Sequence, residues 1–218
     1  MCWNKSISLN TFLFAMFTIG LLYINKHTKY DPIKPYNDIM YTFFIVVCSI
    51  QLVEYFLWSS IENNDRTLNT YFSIIGFILI IIQPFFALQL NPTKYTNYLS
   101  LFFIASSILL IIYKTIFNPI VFNTVVKGGH LSWQWIQFDG IEKLYIPIWL
   151  FCVCYNLMVE PNKTTFIATI LILIFSLYNY YKYNTWTSMW CWVSNAIFIY
   201  YLIKILLVLP YNDLKSLC

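Results

Sequence analysis

Seven long apolar runs, at 10–24, 39–58, 71–90, 98–117, 144–159, 164–181 and 189–209, take up most of this 218-residue chain. A helix needs ~20 residues to cross the ~30 Å hydrocarbon layer of a membrane. Seven such runs predict an all-α integral membrane protein, a single bundle of seven transmembrane helices over 1–218. Composition points the same way: 60% of residues are hydrophobic, only 10% are charged, and the mean hydropathy is +0.65. No soluble fold of this size could hide so much apolar surface, so lipid must act as its solvent. The longest gap between runs, 118–143, leaves no room for a separate soluble domain.

The net charge of +4 is spread thinly along the chain. No Lys/Arg cluster of the kind that grips nucleic acid is present, and no basic block beside a span reads anionic lipid. The first run is followed by Asn25-Lys26-His27-Thr28-Lys29 without a small-residue cleavage site, so it reads as a retained helix. Basic residues are nearly balanced between the two sides. Lys5, Arg66, Lys114, Lys127, Lys143 and Lys182 oppose Lys26, Lys29, Lys34, Lys94, Lys163, Lys204 and Lys215. The lysines after the first span outnumber Lys5 before it, which predicts an outer amino terminus and a cytoplasmic carboxyl terminus. Six cysteines form no disulfide framework or zinc spacing, and they read as small buried hydrophobes.

Within the spans, Glu54 is the only acidic residue well inside an apolar run. Gln51, Glu54, Tyr55 and Trp58 share one helical face. A carboxyl group at membrane depth costs several kcal/mol unless it is paired, solvated or protonated, so it should turn to the bundle interior. Two readings follow: an ion- or proton-handling site, or an interhelical hydrogen bond that fixes packing. The last span opens with Trp186-Thr187-Ser188-Met189-Trp190-Cys191-Trp192-Val193-Ser194-Asn195. In antiparallel register this string lies at the depth of Glu54, Trp58 and Asn179, which predicts a polar-aromatic cluster in the outer half. Trp190 and Asn195 are its candidate members, and the competing reading is an interfacial aromatic belt. Gln83-Pro84 interrupts the third span; the bend is either a hinge or pore lining, or a static kink.

Lys204 in the last span raises the question of a retinal Schiff base. The third span has no acidic counter-ion for it, and snorkelling to the cytoplasmic interface is the simpler reading. No cofactor is expected. The loop at 118–143 carries a Gly128-Gly129 turn signal, and His130–Phe138 alternates polar and apolar residues. It predicts a short β-hairpin or cap over the outer mouth, packing either Trp133 and Trp135 or Ile136 and Phe138 over the helix ends. His130, Asp139 and Glu142 form a weak candidate ion site there. With two histidines in the chain, His-rich zinc hydrolases and lipid desaturases are disfavoured.

Met1-Cys2-Trp3-Asn4-Lys5, the Gln51-x-x-Glu54-x-x-x-Trp58 segment, Gln83-Pro84 and Ser188-Met189-Trp190-Cys191-Trp192-x-x-Asn195 together resemble a multi-pass membrane protein family found in large DNA viruses of protists. The motifs are short but span most of the chain. The resemblance implies seven spans and a viral or protist source, and it implies no activity. Three function classes stay open. The first is a small transporter or channel built on Gln51, Glu54, Trp58, Gln83, Trp190 and Asn195, moving a small ion or proton. The second is a ligand-binding or membrane-organising protein without turnover, and the third a lipid-active enzyme or retinal protein. Membrane lipid is the expected partner, an oligomer is compatible with the chain, and no internal repeat supports a carrier built from halves.

Overall fold

Helices form at all seven apolar runs, and polar residues carry several of them past the ends that hydropathy predicts. The computed structural model describes residues 4–32, 38–138, 140–159, 164–180, 185 and 191–215. In chain order these hold α1 (Lys5–Asn25), α2 (Asp38–Glu62), α3 (Arg66–Gln89) and α4 (Thr96–Phe117). A hairpin of β1 (Thr124–Lys127) and β2 (His130–Trp133) follows, then α5 (Tyr145–Val159) and α6 (Thr164–Tyr180). The chain ends in α7 (Cys191–Ile203), a π-helical turn (Lys204–Val208) and α8 (Leu209–Lys215), which run on without a break. Six helices are long and apolar enough to cross a membrane, and α6 is a shorter apolar one. The protein is an integral, multi-pass membrane protein with a seven-helix bundle.

Local chemistry explains the helix ends. Asn4 and Asp65 cap α1 and α3 by accepting from the Ile7 and Leu68 amides, each at 2.9 Å. Asn64, at φ 53°, supplies the left-handed residue that the tight α2–α3 link requires. The π turn lies directly ahead of Pro210, whose ring cannot enter a regular turn, and the Leu209 amide bonds Lys204. On that side the loop after α1 is tied to the last helix. Lys204 Nζ donates to the Pro32 carbonyl at 2.9 Å, and Lys29 pairs with Asp213 at 2.5 Å.

The most deeply buried helix is α2, which packs along α1 on one side and α3 on the other. Alternation of direction puts the amino terminus, the α2–α3 link and the hairpin on one side of the bundle. The outer face of α4 (Leu101, Ile108, Leu109, Ile112, Ile116) is exposed and apolar, the surface that lipid covers. Its inner seam is Thr96, Ser100, Phe103, Ser107, Leu110 and Lys114, spaced alternately by four and three.

The break at Pro84 is a satisfied kink. Proline leaves the carbonyl of Ile80 without its helical donor. The Trp149 indole N–H of α5 takes its place at 2.8 Å. Two turns further along α5, the Asn156 side-chain amide donates to the Ala87 carbonyl near the end of α3. The two donors and the two carbonyls share a seven-residue spacing because α3 and α5 run parallel. Removing the indole should therefore depend on the proline. Trp149→Phe is expected to cost ~1–3 kcal/mol alone. In a Pro84→Ala background, where the amide returns, the loss should shrink by more than half. Thermal unfolding in detergent, read by a thiol dye on buried Cys48, Cys152 and Cys154, measures both; equal losses would show that Trp149 acts by packing alone.

Candidate functional site

The hairpin is built by its turn and fixed by one asparagine. Gly128 and Gly129, at φ 57° and 79°, form the two-residue turn, and Lys127 pairs with His130 across it. The alternation in His130–Phe138 does not continue as one strand. It ends at Trp133 and tightens into a 3₁₀ turn at Gln134–Ile136, which lays Trp135 flat on Trp133 with ring centres 4.9 Å apart. Both indoles are buried against Ile50, Val53, Leu57, Trp58 and Phe77. Of the two packing modes read from the sequence, the Trp133/Trp135 side fills this core with Ile136 at its edge, while Phe138 packs on a separate cluster with Phe103 and Tyr145.

Asn69 of α3 meets the Thr124 peptide as a neighbouring strand would. Its Oδ1 accepts from the Thr124 amide at 2.8 Å, and its Nδ2 donates to the Thr124 carbonyl at 3.0 Å. Thr124 Oγ1 in turn accepts from Trp135 Nε1 at 3.2 Å and shares a hydrogen bond with Ser73 at 3.0 Å. Gly76 makes room for this seat, because a methyl there would lie 3.0 Å from the Trp135 ring and 3.3 Å from Val53.

A second staple closes the far end of the segment. Lys114 of α4 and Glu142, just ahead of α5, form an ion pair at 3.1 Å, both almost fully buried. Asn118 Nδ2 donates to the same carboxylate oxygen at 2.9 Å, and Lys114 also reaches the Gln137 carbonyl at 3.3 Å. Such a pair stands only because each charge is matched and further hydrogen-bonded. The sequence reading treated Lys114 as a loop charge and grouped Glu142 with His130 and Asp139. The structure gives Glu142 to Lys114, sets His130 edge-on to Tyr180 at 5.3 Å, and Asp139 lies outside the described residues.

Two of the polar residues within the spans, Gln51 and Glu54, share one face of α2, and Gln51 meets α1. Glu54 is 0% exposed and Gln51 1%. Because α2 continues to Glu62, Glu54 lies about 12 Å inside its end, twice as deep as the apolar run suggested. Thr11 of α1 donates to Gln51 Oε1 at 2.9 Å, and buried Ser8 lies one turn back. At the mouth, Lys5 reaches Ser59 at 3.1 Å and Glu62 at 3.6 Å, and stands over the Tyr55 ring. Beyond Gln51, α2 meets α7 through aromatic rings: Phe44 lies 5.5 Å from Phe198 and 5.7 Å from Tyr201. Asn195, one turn before Phe198, is buried about 6 Å below the level of Gln51.

The other candidates divide. Trp58 is buried on the hairpin cluster, and Gln83 is buried on α3 beside the kink. Trp190 lies outside the described residues. Asn179 is exposed and bonds back to its own helix at Phe175, so it does not join the cluster placed at its depth. Among the described residues, Gln51 Nε2, both amide atoms of Asn195, Gln137 Nε2, Asn156 Oδ1 and the indole nitrogens of Trp58 and Trp133 are buried without a hydrogen-bond partner.

Two variants test the staples. Asn69→Ala strips the Thr124 amide and carbonyl of their partner and should cost ~1–3 kcal/mol, seen as faster trypsin cleavage after exposed Lys127. Unchanged cleavage would show that the tryptophans alone hold the hairpin. Lys114→Met should cost ~3–5 kcal/mol by leaving a buried carboxylate unmatched. Adding Glu142→Leu should recover most of that loss in the same thermal assay.

No protein-family model, no curated protein and no solved structure matches the chain.

Proposed function

We propose that this protein is a small transporter or channel for an ion or proton, with its polar site on Gln51 and Glu54 in the α1–α2 seam. One observation carries the reading: a carboxyl group, fully buried two turns inside a spanning helix, on the same face as an amide with an unmet N–H. Intramembrane carboxyls are costly and mark ion and proton paths. Gln51 and Asn195 each keep buried polar atoms without a partner among the described residues. Lys204 serves differently. Its ammonium is bonded to the Pro32 carbonyl, which supports a latch between the loop after α1 and the last helix and gives no support to a Schiff base. The resemblance to viral and protist membrane proteins belongs with this proposal and rests on the short motifs alone.

A second reading, ligand binding without turnover, draws on Trp58 and Trp133. Their two buried indole N–H groups, unmet within one aromatic cluster, suit a ligand bearing acceptor oxygens.

Reconstitution separates the two. Vesicles holding the wild-type protein should pass ions down an imposed gradient, and Glu54→Gln should lower that flux roughly tenfold or more while keeping helicity and elution volume. Wild-type flux equal to that of empty vesicles would overturn the transport reading and favour binding.

A further inference from the structure

We propose that the last helix, α7 through α8, is the moving wall of the bundle, latched at the end away from the hairpin by Lys204 and Asp213; its role as a gate rests on the transport reading. The first observation is how little protein surrounds it. In the most apolar stretch of this span 11% of residues are buried, against 28–44% in the five other long spans. Ile199, Tyr200, Ile203, Leu206 and Leu207 are exposed along its length. One side meets a cluster that includes Leu22, Met40, Phe44 and Cys48, through Phe198 and Ile205. In a bilayer such apolar contacts fix little, because lipid tails are as apolar as the side chains they replace. Asn195 does not fasten the helix either, since both its amide atoms are buried without a partner.

Polar bonds decide more in this setting, and those at the end away from the hairpin are specific. Lys204 Nζ donates to the Pro32 carbonyl at 2.9 Å. Lys29 Nζ and the Tyr30 hydroxyl both donate to Asp213 Oδ2, at 2.5 and 3.1 Å. All three join the loop after α1 to the last helix, between residues 172 to 184 apart in sequence. Lys204 opens the π turn and Asp213 lies beyond it on α8, so the latch grips the helix on both sides of its one irregular turn. Turns of that kind interrupt helices at places that function uses.

The bonds also have the strength that a latch needs. Lys29 and Asp213 are 63% and 30% exposed, and ion pairs so well wetted contribute little. The Lys204 bond is the more sheltered of the set. By contrast the hairpin is pinned by the Lys114–Glu142 pair, which is almost fully buried. Elements that move are drawn from the weakly held end of a structure. Release would carry Phe198 and Ile205 away from the cluster around Cys48. Water then gains the inner face of α2 up to Gln51, one turn past Cys48.

Cys48 is the natural reporter, being fully buried in the cluster that Phe198 and Ile205 complete. The probe is a charged maleimide that does not enter hydrocarbon, applied to the protein in lipid nanodiscs, with each labelled cysteine identified by mass spectrometry. Lys204→Met should speed Cys48 labelling roughly tenfold, the change expected when a hydrogen bond made by a charged group is lost. Lys204→Arg, which keeps a donor, should return the slow rate. Asp213→Asn should also speed labelling, and reversing the pair with Lys29→Asp and Asp213→Lys together should undo most of that gain. Cys152 and Cys154, buried on α5, control for general loosening or misfolding. A Cys48 rate unchanged in Lys204→Met and Asp213→Asn, or rising only in step with Cys152 and Cys154, would overturn the moving wall. The gate is read separately as ion flux in vesicles, which Lys204→Met should raise severalfold. Faster Cys48 labelling with wild-type flux unchanged by Lys204→Met would overturn the gate alone. Faster labelling in a protein whose flux equals that of empty vesicles would overturn the transport reading and leave the latched helix standing.

Discussion

Hydrocarbon has no water with which to hydrogen-bond a stray backbone group, and each such group left unmet costs several kcal/mol. At three departures from regular helix among the described residues, a specific donor or acceptor meets the departure. Pro84 frees the Ile80 carbonyl and Trp149 takes it. The α3 terminus exposes the Ala87 carbonyl and Asn156 takes that. The hairpin brings a strand peptide against a helix, and Asn69 answers both of its polar atoms. Span hydroxyls such as those of Thr18, Ser106 and Thr115 turn back to their own helix carbonyls. The bundle is held together largely by this rule, with aromatic packing filling the space between.

Against that background the unmet atoms stand out by where they lie. Among the described residues, Gln51, Asn195, Trp58 and Trp133 leave polar atoms buried and unpartnered, and so does Asn156 at the oxygen of the amide that stitches α5 to α3. Strain of this kind is retained where the surroundings give it a use. A fully buried carboxyl on the same helix as Gln51 is what leads us to propose an ion or proton path there.

The fold was legible because its signal is repeated. Twenty apolar residues in a row need no partner to be recognised, and seven such runs leave one architecture. Helix ends were less legible, since hydropathy stops at Ser59 or Lys5 while the backbone continues through them; this is why Glu54 is deeper than it first reads. On α4 the spacing of Thr96, Ser100, Ser107 and Lys114 marks one face in the sequence itself, and it would have drawn Lys114 inward. Its partner Glu142 gives no such sign. It lies in an irregular segment, and only the folded path of that segment brings it within 3.1 Å. Trp149 and Asn69 were hidden for the same reason: each acts on a backbone group far away in sequence, and no periodicity encodes that meeting.

The two staples also bear on where the molecule can open. A long loop over a membrane mouth invites comparison with a lid, and lids are drawn from weakly held segments. Here the segment is pinned at entry by Asn69 and Thr124, at the centre by two stacked tryptophans seated over Gly76, and at exit by Lys114 and Glu142. Lifting it would break a buried ion pair and a doubly bonded peptide together. The α1–α2 mouth is held by much less: a half-exposed Lys5 touching Ser59 and an exposed Glu62, contacts of the kind that contribute little. On the transport reading proposed above, access to Glu54 belongs to movement of the first turns of α1, with the hairpin as the fixed wall against which they move.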